Sequence, residues 1–515
     1  MKLAYLWAAP DVNPINRKAR SVPFLNLLNV YGRVFFFSWW GFMVSFWAWY
    51  AFPPLLTHTI KTNLNLSATE VANSNIISLC ATSLVVRLIA GPACDYLGPR
   101  WVFAGILLIG SVPLGLAPLI QDARGLYISR FFIGILGGSF VPCQVWSTGF
   151  FDKNVVGTAN ALAGGWGNAG GGITYFIMPA VFDSFVARGY TDGVAWRLTF
   201  IVPLIMLIAT AISMLILCPD TPTGKWSERH AHADQNLASH GGSLFSNRNG
   251  DFVDVPGKIT DKAGSSGPNS IHEAEKEKRP ADWDHEAALS KREMVETAKG
   301  EVVQKPTWDM VAQVLISPQT QFQIFTYMCS FGGELAINSV LGSYYIKNFP
   351  RLGQTDAANW AAMFGFMNLV TRPLGGAVSD LLYRASGRNV WAKKMWVVAC
   401  GCLTGAMLII VGQLDPHHLP TMVGLIALTA VFLEAGNGAN FALVPHVHPH
   451  ANGVVSGTTG AGGNLGGVIF AVIFRFTNEG TDYAKAFWII GVLTIALNVC
   501  LCWVGPVPRG QVGGH

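Results

Sequence analysis

Residues 87–95 read RLIAGPACD and residues 372–380 read RPLGGAVSD. In both stretches an arginine is followed four residues later by glycine and eight residues later by aspartate. A second pair of stretches matches in the same way. Residues 157–168 (GTANALAGGWGN) and 453–464 (GVVSGTTGAGGN) both begin with glycine and end with asparagine inside a glycine tract. Matches at four chemically constrained positions indicate a duplicated unit, so the sequence predicts two homologous halves.

The composition decides the class of protein that these halves form. The chain of 515 residues is 51% hydrophobic and 13% charged, whereas globular domains are about 25% charged. Residues 219–305 hold 27 of the 65 charges, and the remaining chain has too few to cover the surface of a water-soluble domain. This excludes a soluble enzyme, a nucleic-acid-binding protein and a disordered scaffold. It predicts a multi-span membrane protein with one polar insert.

Twelve apolar runs have about the 20 residues that a membrane-spanning helix needs. We expect spans at about 33–53, 71–95, 101–120, 126–150, 155–182, 196–218, 321–346, 357–383, 392–413, 420–443, 451–476 and 485–506. Six runs precede the polar insert and six follow it, so both termini and the insert share one compartment. Lysine and arginine are more frequent in the short loops on that side, which indicates the cytoplasm.

The predicted fold is an all-α membrane protein with twelve transmembrane helices in two six-helix repeats and a long cytoplasmic loop between helices six and seven. We expect a cytoplasmic N-terminal segment at 1–32, a six-helix bundle at 33–218, a linker at 219–318, a second bundle at 319–506 and a cytoplasmic tail at 507–515. The linker is rich in small polar and charged residues, which predicts that it is largely disordered.

The two repeated arginines are the most informative residues. Arg87 and Arg372 each precede, by eight residues, an aspartate at the cytoplasmic end of a predicted helix. Eight residues of helix rise about 12 Å, and half of the hydrocarbon layer is about 15 Å thick. Both arginines therefore lie close to the centre of the bilayer, where a charge costs from about 2.5 to over 10 kcal/mol.

Two explanations can account for arginines at this depth. Each could form a structural ion pair with an acidic residue, and Glu334 and Glu434 are the candidates within the predicted spans. The alternative is a site for an anion that enters from water. The planar, weakly hydrated guanidinium group suits a small planar oxyanion with delocalised charge. We expect the anion site, since two symmetry-related cations repel each other unless an anion lies between them.

Other residues in the spans fit such a site. Flat rings near the path could enclose a flat ion, and these are Phe46, Trp47, Phe140, Tyr327 and Phe331. Asn168 and Asn464 are the strongly polar side chains within the glycine tracts and could donate amide N–H groups to the anion. Interhelical packing is the alternative role for both asparagines.

Another set of residues suggests moving parts. Small residues let helices approach closely and slide, and the tracts supply Gly167, Gly171, Gly463 and Gly467. Charged clusters end the second and eighth spans, Asp95 with Arg100 and Asp380 with Arg384. We expect salt bridges there that anchor loops and stabilise one gating state.

The same stretches resemble a known family. GPACDYLGPR (91–100) resembles the GxxxDxxGxR loop motif of the major facilitator superfamily. GWGNAGGG (165–172) and GTTGAGGNLGG (457–467) resemble the paired signatures of its nitrate/nitrite porter family, and the membrane part is similar to the fungal high-affinity nitrate transporters. The resemblance implies a plasma-membrane nitrate importer, with nitrite as a second candidate substrate. It implies that Arg87 and Arg372 hold the anion and that Phe140, Tyr327 and Phe331 form the ring walls.

The energy source stays open between two alternatives. The resemblance implies symport with protons, while repulsion between the arginines of an empty carrier favours nitrate/nitrite exchange. We expect nitrate and protons as partners within membrane lipid, a monomer, and no cofactor, metal site or nucleic acid. Two other functions are alternatives: a transporter-like sensor that signals through its insert, and a membrane enzyme that uses the histidines of HVHPH (446–450).

Overall fold

A computed structural model gives the structure of the chain. It describes residues 6–67, 70–71, 73–74, 77–78, 86–240, 285–286, 294–295, 297–298, 301, 307–352, 354–477 and 482–508.

The described chain is built almost entirely of long helices. The helices of the membrane bundle are, in chain order, Val30–Trp49, Arg87–Leu97, Pro99–Gly115, Ala123–Ile133 with Phe140–Phe150, Val156–Ala187, Asp192–Thr199 with Ile201–Leu217, Pro318–Asn348, Gln354–Phe366 with Asn368–Ala385, Val390–Leu414, Leu419–Val447, Asn452–Phe476 and Tyr483–Cys500. We call these the first to twelfth spans. They confirm the all-α fold with twelve spans, although the part of the second span before Val86 lies largely outside the described residues.

Length and hydropathy alone identify eight of these helices as able to cross a membrane, among the residues that the structure describes. Large apolar side chains remain exposed on their outer faces, for example Ile109, Ile216 and Leu414. Lipid would cover these side chains. The first span begins at Val30 instead of 33 because the Asn29 side chain caps it by accepting from the Tyr31 N–H. The twelfth ends at Cys500 instead of 506.

The two halves touch backbone to backbone along two seams. The second span packs on the eleventh, where a Cβ added to Gly91 would lie 2.4 Å from the Gly453 carbonyl oxygen. The eighth span packs on the fifth, where a Cβ added to Gly376 would lie 2.4 Å from the Gly157 carbonyl oxygen. Contacts this close exclude any side chain, so these glycines of the repeated stretches set the spacing between the halves.

Part of the polar insert packs on the first half together with the N-terminal segment. The insert contains a short 3-10 turn at Trp226–Glu228 and a helix at Arg229–Ser239. Asp11–Val12 pairs in parallel with His285–Glu286, and a helix at Trp308–Ile316 leads into the second half. We call residues 11–18, 226–239 and the described positions of 294–301 the insert clasp. The disorder expected for the linker falls mostly on residues outside those described.

The insert clasp has a small core of its own. Ile15, Ala233, Leu237 and Ala298 are buried together. Glu301 is bonded to the N-terminal segment by an ion pair of 2.8 Å with Lys18. Residues from both ends of the insert therefore meet on the first segment of the chain.

Candidate anion-binding site

The two repeated arginines meet in the middle of the bundle. Arg87 is 0% exposed and Arg372 is 1% exposed. Their guanidinium carbons lie 5.3 and 5.5 Å from the centroid of the same ring, Phe140. The two cations are therefore neighbours across one aromatic side chain, as the repeat predicts.

Backbone carbonyls hold Arg87 in position. Its Nε donates to the Gly137 carbonyl at 3.1 Å and its Nη1 donates to the Gly460 carbonyl at 2.8 Å. Gly137 lies in a 3-10 turn, Gly134–Ser139, that interrupts the fourth span. An interruption of this kind alters the helical bonding pattern and can free carbonyl groups for side chains. The glycines at 134, 137 and 138 explain why the helix changes its pitch there.

A side chain holds Arg372. Its Nη2 donates to the Tyr327 hydroxyl at 3.0 Å. On the other side, a Cβ added to Gly164 would lie 3.0 Å from Nε of Arg372. The fifth span of the first half thus packs against the arginine of the second half. Gly460 of the eleventh span packs against Arg87 in the same way, with a Cβ distance of 3.3 Å to Cδ.

Several donors of the two arginines remain without a protein acceptor. Nη2 of Arg87 and both Nε and Nη1 of Arg372 are buried and make no hydrogen bond with a described residue. A buried unpaired donor costs about 1–3 kcal/mol, and a charged group costs more. These donors are where an anion would bind.

The acidic residues do not neutralise the pair. No described carboxylate oxygen lies within 4.0 Å of a nitrogen of Arg87 or Arg372. Glu334 instead accepts hydrogen bonds from Asn368 at 2.6 Å and from Asn437 at 2.8 Å. A structural ion pair between either arginine and Glu334 or Glu434 is therefore absent among the described residues.

Aromatic rings enclose the arginines. Tyr327 is parallel to Phe140 at 6.3 Å and to Phe331 at 5.2 Å between ring centroids. Phe331 also lies 5.5 Å from the Arg87 guanidinium carbon. Phe441, which the sequence reasoning did not single out, contacts Phe140 at 4.6 Å and Tyr327 at 4.9 Å. The rings exclude water and stack against the cations.

Phe46, the ring predicted from the first span, is separated from the rings around the arginines by Phe42. Phe46 packs on Phe42 at 4.5 Å, and Phe42 is the ring that contacts Phe140, at 5.3 Å. Phe46 makes no ring contact with either arginine among the described residues. Tyr50, also missed, lies close enough to Arg87 for an electrostatic interaction. Helical spacing places Phe42 and Phe46 on the same face of the helix, but it does not tell which of the two rings lies at the level of the arginines.

The two asparagines lie one helical turn beyond the glycines that pack on the arginines. Asn168 follows Gly164 by four residues, and Asn464 follows Gly460 by four. Residues four apart share a helix face. The amide oxygen and nitrogen of both asparagines are buried without a hydrogen-bond partner in the described chain. Both side chains are therefore available for a ligand.

The four glycines predicted to let helices slide contact different side chains and differ in how closely they do so. A Cβ on Gly167 would overlap the Phe42 ring, and one on Gly463 would lie 2.6 Å from Tyr327. Gly467 faces Leu335 at 3.0 Å, while Gly171 leaves ordinary contact distances to Tyr50. These four glycines face helices of their own half, the first and seventh spans. The contacts between halves are made by other glycines of the same tracts.

The gate end, where Asp95 and Asp380 lie, is closed by bonds between the halves. Asp95 accepts from the N–H groups of Gly453 and Val454, at 2.9 and 3.0 Å, at the start of the eleventh span. Asp380 accepts from the Thr158 N–H and hydroxyl, at 2.6 and 2.8 Å, at the start of the fifth span. Each aspartate therefore caps a helix of the opposite half, where a negative charge is stabilising.

The expected salt bridges of the gate end differ from those observed. Arg100 pairs with Asp220 at 2.5 Å, at the end of the sixth span, and not with Asp95. Arg384 donates to the backbone oxygen of Asp380, and the carboxylate pairs with Lys393 at 2.8 Å. The expectation was wrong because spacing along one helix cannot reveal a partner on another helix.

Comparisons with known proteins agree with this geometry. The sequence profile of the Major Facilitator Superfamily matches residues 38–344 and 323–514. The fold is similar to a fucose:proton symporter, FucP, in the outward conformation, with a TM-score of 0.58 and 12% identity over 90% of this chain and 97% of that one. The proton:xylose symporter XylE is similar at a TM-score of 0.57 and 12% identity, over 90% and 94%.

Relatives of full length are similar in sequence. Elsinochrome transporter 1 of Elsinoe fawcettii is 35% identical over 99% of this chain and 100% of its own. High-affinity nitrate transporter 2.3 of Oryza sativa subsp. japonica is 30% identical over 91% and 75%. The nitrate/nitrite transporter NrtP of Nostoc punctiforme is 28% identical over 88% of each chain. The chain is a membrane transporter and not an enzyme, and it belongs to the major facilitator superfamily, in the family that contains these nitrate porters.

Proposed function

We propose that the chain imports nitrate across the plasma membrane as a secondary active transporter, by alternating access and together with protons. Nitrite is a second candidate substrate. The observation that carries the proposal is a group of guanidinium donors on Arg87 and Arg372 that are buried beside one ring. Within the described part of the chain these donors have no hydrogen-bond acceptor, and no carboxylate oxygen lies within 4.0 Å of either arginine. Two such cations need an anion to offset their repulsion and burial.

The shape of the site supports a flat oxyanion. A guanidinium group donates in a planar fork that matches planar oxygen acceptors. The parallel faces of Phe140, Tyr327 and Phe331 suit a flat ion better than a tetrahedral one. Nitrate and nitrite are both flat and monovalent, and the names of the plant and cyanobacterial relatives support the same substrates.

The burial of the site supports alternating access. Both guanidinium groups are inaccessible in this conformation, so an ion reaches them only when helices move. The gate end is held shut by single aspartates that cap helices of the opposite half. Releasing Asp95 and Asp380 would let the halves rock apart and expose the arginines on that side. The distribution of lysine and arginine among the loops supports a cytoplasmic location for this end.

Uptake of nitrate into proteoliposomes that contain the purified protein tests the proposal. We expect Arg87→Lys and Arg372→Lys each to lower uptake strongly, since a lysine ammonium cannot replace the fork. Each lost charge-assisted bond is worth about 1.5–3 kcal/mol, or roughly 10- to 150-fold in affinity. Arg188→Lys, an exposed position after the fifth span, is the matched control. Normal nitrate KM in either site variant would contradict the proposal.

The relative named as an elsinochrome transporter is the reason for a second candidate. The same proteoliposomes should therefore be offered elsinochrome, alone and in competition with nitrate. Transport of elsinochrome without transport of nitrate would replace the proposed substrate. Varying the pH gradient and internal nitrite independently separates proton symport from nitrate/nitrite exchange, because exchange needs internal nitrite and ignores pH.

A further inference from the structure

Two buried carboxyl groups lie behind Arg372 in the second half. Glu334 on the seventh span is 5% exposed and Glu434 on the tenth span is 0% exposed. The amide nitrogen of Asn437 bridges them, donating to Glu334 at 2.8 Å and to Glu434 at 3.1 Å. Both carboxyl groups therefore lie within one hydrogen bond of the same nitrogen atom, which places them close together.

This closeness favours a proton on the pair. Two carboxylates that are buried this near each other disfavour each other's ionised form, so the two do not both remain ionised. Glu334 and Glu434 therefore hold at least one proton between them. Oε1 of Glu434 is buried without a described partner, which leaves an oxygen where another proton could bind.

The carboxyl pair is connected to the arginine site. Asn368 donates to Oε1 of Glu334 at 2.6 Å and lies one helical turn before Arg372 on the eighth span. Tyr327, which holds Arg372, lies on the same helix as Glu334. Gly438, one helical turn after Glu434, packs against the Arg372 carbonyl oxygen, so the tenth span meets the eighth span at this arginine. A change in the charge of the pair is therefore felt at the anion site.

The surroundings contain few other groups that could compete for this role. Among the described residues, the charged and titratable side chains that face the pair are Arg372 and Tyr327. The ninth span also packs on the tenth, but its Lys393 bonds to Asp380 and its Lys394 bonds to the Cys502 carbonyl, both at the gate end. The Cys400 side chain approaches Gly436 and is a neutral neighbour.

We propose that Glu334 and Glu434 form the site that carries the coupled proton, and that Asn368 and Arg372 link it to the anion. The inference rests on the proposed nitrate transport and names its proton site. When the pair takes up a proton, a negative charge near Arg372 is removed and the arginines attract an anion more strongly. By linkage, a bound anion favours protonation by the same factor. The two ligands therefore load together.

Substitution by glutamine, which imitates the protonated carboxyl group, tests the proposal in proteoliposomes. In the wild-type protein, each proton carried down a gradient of one pH unit adds about tenfold to nitrate accumulation. We expect Glu434→Gln, and Glu334→Gln, to lose this accumulation but to keep nitrate counterflow at equal pH. Their nitrate KM should no longer depend on external pH. Glu70→Gln, at an outer position whose hydrogen bonds to described residues go to the nearby Ser67, is the matched control.

The outcomes separate the two proposals. Accumulation driven by a pH gradient at the wild-type level in both glutamine variants would overturn the proton site. Loss of counterflow as well as accumulation would also overturn it, because the pair would then serve nitrate passage itself. Glu434→Asp keeps the carboxyl group, so this variant should retain the pH dependence if the role of Glu434 is proton binding. A wild-type protein without any nitrate uptake would instead refute the proposed function.

Discussion

The first and second halves of the bundle repeat the same arginine but surround it differently. Arg87 is held by two backbone carbonyls and lies among rings and glycines. Arg372 is held by the Tyr327 hydroxyl and has the Glu334–Glu434 pair behind it. The first and fourth spans, which correspond to the seventh and tenth, contain no acidic residue. Duplication thus repeated the buried arginine, while a pair of buried carboxyl groups beside it is found, among the described residues, in the second half.

The two halves also differ at the gate end, in the groups to which the carboxylates of Asp95 and Asp380 bond. This difference gives the largest expected effect, which is on stability. Asp380 forms a buried ion pair with Lys393, both nearly 0% exposed, whereas Asp95 accepts from backbone N–H groups. Asp380→Asn leaves a buried lysine without its counter-ion, which costs about 3–5 kcal/mol. Asp95→Asn should cost about 1 kcal/mol. The thermal unfolding midpoint of the purified protein should fall much more for Asp380→Asn.

A double variant provides the control for this prediction. Asp380→Asn with Lys393→Met removes both buried charges and should recover most of the midpoint, since the cost comes from the unpaired lysine. Equal midpoints for Asp95→Asn and Asp380→Asn would show that the halves close the gate end by equivalent bonds.

The second prediction concerns how the two arginines are held. Arg372 is oriented by a side chain that can be removed, while the acceptors of Arg87 belong to the backbone. Tyr327→Phe deletes the acceptor of Nη2 but keeps the ring between Phe140 and Phe331. A bond to a charged group is worth about 1.5–3 kcal/mol, so we expect nitrate KM to rise roughly tenfold or more. Phe441→Tyr, which adds a hydroxyl at a neighbouring ring, serves as a comparison; an unchanged KM for Tyr327→Phe would mean that the ring alone positions Arg372.

The smallest expected effect lies in the insert clasp, which packs on the first half. Burial raises the pKa of Glu301, but the charges of Lys18 and Arg229 and the hydrogen bonds from Lys18 and Asn16 together outweigh this effect. The pKa of Glu301 therefore lies below its usual value. A lowered pKa stabilises the clasp at neutral pH, and this contribution is lost as the pH falls through the pKa in the folded state. Because Lys18 is partly exposed, it amounts to about 1 kcal/mol or less.

Hydrogen exchange of residues 13–18 measures this contribution. Glu301→Gln should speed exchange at neutral pH, and the difference from wild type should vanish in acid. Glu228→Gln, in an exposed pair with Lys225, should change nothing. A difference that persists unchanged in acid would contradict an ionic role for Glu301.

The sequence was sufficient for features that lie along one helix. The eight-residue spacing identified Arg87 and Arg372 as equivalent positions, and the structure brings both to the Phe140 ring. The glycine tracts were recognised as places of close helix packing, although the four glycines named from them face helices of their own half. It was insufficient wherever a partner lies on another helix. Phe42 and Phe441, the bridge made by Asn437, and the pairing of Arg100 with Asp220 all depend on how helices rotate and pack, and a single sequence records only the periodicity within each helix.

The central claim is that the two arginines together bind one nitrate ion, and binding to the purified protein tests it most directly. A ligand that binds only the folded state stabilises it by about 2.7 kcal/mol at one hundred times its Kd. We predict that nitrate at that excess raises the unfolding midpoint of the wild-type protein and of Arg188→Lys, but not that of Arg87→Lys or Arg372→Lys. Equal stabilisation of all four proteins by nitrate would contradict the claim.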